Sequence, residues 1–302
     1  MNFQRLQYFL AVVDAGTVTA AADTLHVAQP ALSRQIKTLE RELRLELFEA
    51  QGNRLALTSA GRALVPVARR LMVETRGFEE AATALRTGRV EELVAATTST
   101  TLRRILAPFI ATTGPDDPKI IPRDVSHFDM SDSLRRGSDF AISPAARDGA
   151  LRHVPLGRVA VRAFVSADHE WARAGVTELP ITGFAGSTAI LASHHSVSRY
   201  VLDDALSRAD MAFPEVTECD DGQTVVALAA AGRGVGFVTE GSLYGAHPIV
   251  VLHDARSDGK LEPLALPLHV AWIPGHFAEE VIERIAHRIR GFLRAEGITL
   301  DE

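Results

Sequence analysis

Residues 21–58 read AADTLHVAQPALSRQIKTLERELRLELFEAQGNRLALT, and this stretch decides the fold of the N-terminal part. Gln29-Pro30 opens a helix, because proline is tolerated in a first turn, where its missing N–H would have no intrahelical partner. Leu32, Ile36, Leu39 and Leu43 follow at i, i+4, i+7 and i+11, one narrow apolar stripe that must be buried. Pro30, Ser33, Arg34, Lys37 and Arg41 project to the opposite side. That face carries small, hydroxyl and cationic groups and no carboxylate, a surface that a major groove accepts. Upstream, Thr19 precedes AAADTLHV, a short helix that breaks at Val27–Ala28, and Phe3, Leu6, Phe9, Leu10 and Val13 recur at helical spacing until Gly16. Downstream, Gly52-Asn53 lies between short alternating runs, the signal of a tight hairpin, with Arg54 just past its tip. Three helices and a hairpin predict a winged helix-turn-helix.

From Ser59 to about Leu85 the pattern is helical, interrupted only by Pro66 and Gly77, and Leu64, Leu71, Phe78 and Leu85 are spaced by seven. Sevenfold spacing predicts a helix that packs along a partner helix. Beyond Gly88-Arg89 short apolar runs alternate with helices: ELVAAT, a helix over 102–110, KIIPRDV, a helix over 130–135, then DFAIS. A second lobe follows with VRAFVS, ITGFAG, TAILAS, a helix over 198–210, PEVTEC, QTVVALAAAG and GVGFVT. IVVLH, LHVAWIP and a helix over 278–295 complete it. This is α/β alternation, so the fold class is α+β and multidomain.

The chain of 302 residues suits two domains at about 150 residues each. Net charge is −6, unevenly spread: residues 1–90 hold 12 Lys/Arg against 9 Asp/Glu, net +3, and the rest hold 20 against 29, net −9. The N-terminal part is the one suited to nucleic acid. No apolar stretch approaches the roughly 20 residues that cross a bilayer, and the N-terminus lacks the order of a signal peptide, so a cytoplasmic protein without membrane contact is expected. Cys219 is the only cysteine, which excludes an intrachain disulfide and a multi-thiolate zinc site. Catalytic signatures are missing too: there is no HExxH or GxSxG, and GRGVGF precedes a strand rather than opening a helix, so no enzyme is expected.

The run LQYFLAVVDAGTVTAAADTLHVAQPALSRQIKTLERELRLELFE, followed by LTSAGRAL, closely resembles the N-terminal signature of bacterial LysR-type transcriptional regulators, over about Leu6 to Leu71. RRGSDFAIS and VVALAAAGRGVGFV resemble that family's sensor domain. The resemblance implies a winged helix-turn-helix DNA-binding domain at 1–58, a dimerising linker helix at 59–88 and an effector-binding domain at 89–302. The last would consist of two α/β lobes, like a periplasmic binding protein, with a small molecule in the cleft between them. The partners implied are double-stranded promoter DNA, the effector, RNA polymerase and further copies of the chain, as a homotetramer built from two dimers. By resemblance and by the helical wheel, Gln29, Pro30, Ser33 and Arg34 read bases, glutamine suiting adenine and arginine guanine, while Lys37 and Arg54 contact phosphate. Where the family has an aromatic residue, a basic residue and a basic wing residue, this chain has Val18, Ala20 and Ala50, which implies fewer phosphate contacts. The first sensor lobe is also shorter than the family's around Gly114–Pro122. Arg41 and Arg44 could equally be held in surface pairs by Glu40 and Glu46.

For the effector, Thr97–Thr101 lies between the first sensor strand and its helix, where hydroxyls and free N–H groups can hold an anion, so Thr98, Ser99, Thr100 and Thr101 are pocket candidates. Phe128 beside His127, Ser143, and His194-His195 fall in loops after strands, where open α/β folds place ligands. Thr239, beside Glu240, follows GVGFV. The hydroxyl and histidine content points to a small carboxylate or polar aromatic acid, with no other cofactor. Adjacent histidines on an extended chain point apart, so no metal is expected.

Overall fold

The computed structural model describes residues 2–51, 54–144, 149–255 and 258–300, apart from the side chains of Ala50, Gln51 and Arg54. The chain divides into two compact units, Met1–Arg89 with Arg135–Gly137, and Val90–Leu134 with Ser138–Glu302.

In the first unit α1 (Phe3–Ala15), α2 (Val18–Leu25) and α3 (Gln29–Leu43) precede an antiparallel pair, β1 (Phe48–Gln51) and β2 (Arg54–Leu57). The tip Gly52-Asn53 lies outside the described residues. Leu6, Phe9, Leu32, Ile36, Leu39 and Leu47 are buried together, and Phe9 meets Phe48 edge-on at 5.5 Å between ring centroids. Asn2 caps α1 by accepting from Gln4 N–H, and Thr17 caps α2 by accepting from Ala20 N–H. Glu40 accepts from the N–H groups of Leu47 and Phe48 at 2.8 and 3.2 Å, which ties the end of α3 to the start of the wing. It therefore does not serve as the surface partner of Arg41 or Arg44. Arg41 lies along its own helix, on Lys37 O and Thr38 Oγ1, and Arg44 caps α3 in the left-handed region.

Next, α4 (Ser59–Thr87) runs through Pro66 and Gly77 without a break. The hydrogen bond that Pro66 cannot make is offset by the packing of Leu64, Val65, Ala68 and Leu71 onto the three-helix core. The sevenfold series thus splits in two. Leu64 and Leu71 belong to that core, whereas Phe78 and Leu85 are 74% and 88% exposed.

The second unit begins with β3 (Glu92–Thr97), which leads into α5 (Ser99–Thr101), a π turn (Leu102–Leu106) and α6 (Ala107–Ile110) without interruption. After β4 (Lys119–Asp124) come a 3-10 turn (His127–Asp129), α7 (Met130–Arg135), β5 (Phe140–Ser143) and β6 (Arg152–Ala160). The chain then enters a second sheet with β7 (Arg162–Val165), α8 (Glu170–Arg173), β8 (Glu178–Pro180), β9 (Thr188–Ala192), α9 (Val197–Arg208) and β10 (Glu215–Cys219). It continues with α10 (Gly222–Ala230), β11 (Val235–Val238), β12 (His247–Asp254) and β13 (Leu261–Pro263). Finally β14 (Ala265–Trp272) and α11 (Glu279–Ala295) return to the first sheet.

The first lobe has strand order β4-β3-β5-β14-β6, and the second β10-β9-β11-β7-β12-β13 with β8 beside β12. The chain passes between them twice, through Val161 and Leu264, and these two buried residues are joined by Val161 N–H donating to Leu264 O at 2.7 Å. Each lobe has its own core, one around Phe109, Phe140, Trp272 and Ile282, the other around Phe184, Leu191, Phe237 and Val251. ITGFAG is not extended like the other apolar runs: Ile181–Phe184 is a 3-10 turn that buries Ile181 and Phe184, with Gly186 at a φ of 81° just after it. β6 escapes a reading by alternation because Pro155 and Gly157 interrupt its pattern.

Candidate DNA-reading surface and effector cleft

On α3 the apolar stripe faces the core, so the opposite face is presented to solvent: Gln29, Pro30, Arg34 and Lys37 are exposed and Ser33 is half-buried. Arg34 folds back along the helix, its Nε donating to Pro30 O at 3.2 Å, with the rest of its guanidinium on the outer face. Unlike α1 and α2, α3 begins without a side-chain cap: Ala28 precedes it, which leaves its first N–H groups without a side-chain acceptor. Ala20 is exposed, and Val18 packs against the core instead of reaching outward. The side chains of Arg54 and Ala50 lie outside the described residues.

In the second unit a cavity of about 580 Å³ lies between the lobes. Thr98, Ser99, Thr100, Thr101, His195 and Thr239 line it, from both lobes. Contacts cross it: Thr100 Oγ1 donates to Glu240 Oε1 at 2.7 Å, Arg103 Nη2 reaches Asp221 Oδ1 at 3.2 Å and Glu240 Oε1 at 3.4 Å, and Arg104 donates to Thr239 O. Glu240 is only 3% exposed, and its carboxylate sits against Gly222, where a Cβ would fall 2.7 Å from Oε1. Burial, with the Arg162 guanidinium nearby, pulls Arg104 down to about 10 against the opposing pull of Glu240, and burial lowers Arg162 as well.

The hydroxyl run is where the sequence reading put it, but two of its hydroxyls, those of Ser99 and Thr100, are already committed to carboxylates. Ser99 Oγ donates to Asp124 and Thr100 Oγ1 to Glu240, so the protein's own carboxylates take these two, while Thr98 caps Thr101 and donates to its hydroxyl. Three other candidates are not brought to the cavity wall. Ser143 is buried on β5 and bonded to His127 Nδ1 at 3.3 Å, while His127, lowered by burial, takes the wall position. Phe128 turns outward, 59% exposed, against Tyr200 at 6.3 Å between ring centroids. His194 points away, between Asp203 and Glu218 at 3.8 and 3.7 Å. Cys219 is half-buried, and burial together with Asp220 and Asp221 raises its thiol, which disfavours the reactive thiolate. Arg103 and Arg104 escaped the sequence reading, although they directly follow the hydroxyl run on the same helical rod.

Two family profiles match the chain: the bacterial regulatory helix-turn-helix protein of the lysR family over residues 3–62, and the LysR substrate binding domain over residues 86–293. The chain belongs to the LysR family and is a DNA-binding transcriptional regulator with an effector-binding domain. It is 29% identical over 254 residues to the nitrogen assimilation regulatory protein nac of Escherichia coli K12, a match spanning 80% of this chain and 79% of that protein. In fold it resembles full-length CbnR in complex with its target DNA, with a TM-score of 0.72 at 20% identity, covering 96% of this chain and 100% of that one. A full-length OxyR variant of Pseudomonas aeruginosa gives a TM-score of 0.64 at 22% identity, over 96% of this chain and 95% of that one. No helix among the described residues is long and apolar enough to cross a membrane.

Proposed function

We propose that α3 enters the major groove of promoter DNA with Gln29, Pro30, Ser33 and Arg34 at base edges and Lys37 and Arg54 on phosphates, and that a small molecule in the interlobe cleft controls this binding. The observation that carries the second half is the cleft itself: about 580 Å³ between two separately cored lobes, which the backbone connects through the paired crossings at Val161 and Leu264 and which Glu240, Arg103 and Arg104 bridge. A ligand that favours one lobe arrangement over another shifts the protein toward it, and this differential affinity is the whole of the control. The exposed outer face of α3, with Gln29, Pro30, Arg34 and Lys37 in solvent and no carboxylate among them, supports the first half. CbnR, whose complex with target DNA shares this fold, is in keeping with it. The division of labour is then 1–58 for DNA, 59–88 for association and 89–302 for the effector, in a cytoplasmic protein that acts by binding rather than by catalysis.

Val197 lines the cleft at the start of α9 and is half-buried, so Val197→Trp fills the cavity at small cost to the core. A small molecule present at 100 times its dissociation constant stabilises the wild type by about 2.7 kcal/mol. In a thermal-shift screen of a metabolite library, hits on the wild type are expected to vanish in Val197→Trp while its operator binding persists. Hits that survive the substitution place the effector elsewhere.

Association through α4 explains why Phe78 and Leu85 stand in water. Charging both, as Phe78→Glu with Leu85→Glu, is expected to reduce the sedimenting species at micromolar concentration to a single chain. An unchanged mass would assign the interface to another surface.

A further inference from the structure

The charges around the cleft are mismatched in a way that specifies a ligand. Two guanidiniums, Arg103 and Arg104, and four carboxylates, Asp124, Asp220, Asp221 and Glu240, line it. Arg103 is spoken for by Asp221 and Glu240. Arg104 has no such contact: its one described hydrogen bond is to a backbone oxygen, Thr239 O, and Glu240 pulls on it only from beyond ion-pair distance. Its neighbour Arg162 adds a second, half-buried positive charge with no ion pair among the described residues. On the other side of the account, Asp124 receives only the Ser99 hydroxyl, and Asp220 has no cation within ion-pair reach among the described residues. These two carboxylates occupy matching places in the two lobes. Asp124 ends β4 and Asp220 follows β10, and β4-β3-β5 in one sheet corresponds to β10-β9-β11 in the other.

Accepting the interlobe cleft as the effector site, we infer that its ligand is a zwitterion of the amino-acid class, with its carboxylate on Arg104 and its ammonium against Asp124 and Asp220. A plain carboxylic acid would satisfy Arg104 but bring more negative charge to a wall already rich in carboxylates. It would find Ser99 and Thr100 in the hydroxyl run already donating to Asp124 and Glu240. A plain amine would satisfy the aspartates and leave Arg104 covered by ligand with no charge-assisted partner in contact, an expensive arrangement for a half-buried cation whose Glu240 counter-charge stands beyond ion-pair distance. Only a ligand carrying both charges neutralises both sides. A guanidinium also holds a carboxylate through two parallel hydrogen bonds, which fixes the orientation of the ligand. The volume falls within the range of small-molecule sites.

The test is a thermal-shift and calorimetric titration of the full-length protein with the twenty standard L-amino acids, and, for each that binds, with its deaminated acid and its decarboxylated amine. At least one amino acid is expected to bind, with both analogues at least tenfold weaker. Arg104→Met and Asp220→Asn are each expected to weaken it at least tenfold, and Arg104→Lys to recover part of the loss. Asp220 is exposed, so Asp220→Asn remains informative should Arg104→Met fail to fold. Binding by none of the twenty, or a deaminated acid or amine binding as tightly as its parent, or indifference to Asp220→Asn, overturns the inference. A deaminated acid that binds as tightly as its parent and is lost in Val197→Trp would overturn the ligand class and leave the cleft standing. An amino acid that binds Val197→Trp as well as wild type would sink the cleft itself.

Discussion

Gly61→Ala is expected to lower the melting temperature of the N-terminal unit by about 8–16 °C, although alanine is the better helix former. Gly61 lies in the first turn of α4, where Thr58 caps it by accepting from Gly61 N–H at 2.9 Å. A Cβ there would stand 2.2 Å from the backbone oxygen of Leu47 and 2.9 Å from Leu57 Cδ2. Leu47 cannot easily retreat, since it is fully buried and its oxygen already receives Thr58 N–H at 3.0 Å. Helix propensity favours alanine by about 1 kcal/mol. Overpacking against a fixed group costs about 3 kcal/mol, so the clash wins by about 2 kcal/mol. For a unit of this size each kcal/mol is worth about 4–8 °C. Calorimetry of the full-length chain reads the shift, and an unchanged or higher transition would mean that the junction of wing and α4 is looser than described.

Arg34→Ala is expected to weaken selective DNA binding while leaving stability within about 0.5 kcal/mol. The side chain is exposed, and its one described bond is to Pro30 O in its own helix, so nothing in the core depends on it. A bidentate arginine–guanine contact discriminates by about 1–3 kcal/mol, and a symmetric dimer makes it twice. The loss on the specific site is therefore about 30-fold at least. Binding to unrelated DNA should change little, because that rests on phosphate contacts. Lys37→Ala provides the contrast: it should weaken all sequences alike and reduce the salt slope by about 2, one phosphate contact per half-site.

The N-terminal fold was largely legible because its signals are local. The stripe Leu32, Ile36, Leu39 and Leu43, the proline in the first turn and the hairpin residues each act within a few positions of one another. Sequence alone left open whether Pro66 restarts or kinks the helix; it stays one helix because tertiary packing of Leu64, Val65 and Leu71 outweighs one missing hydrogen bond. The cleft was legible in part for the converse reason. Thr98–Thr101 stood out as a hydroxyl run, but what those hydroxyls do depends on Asp124 and on Glu240, which lies 140 residues further along the chain. Spacing cannot reveal such a partner. Nor does it show that Phe128 and His194 turn toward Tyr200, Asp203 and Glu218 instead of the cavity.

The most direct measurement is the affinity of the full-length protein for the intergenic DNA beside its own gene and for a scrambled duplex, at two salt concentrations, with Arg34→Ala alongside. The structure predicts a preference of about 10³ or more for the native sequence, a steep loss with salt on both duplexes, and a fall of about 30-fold or more in the preference alone in Arg34→Ala. Equal affinity for both duplexes, or a preference undiminished by Arg34→Ala, would contradict the assignment of α3 as the reading helix.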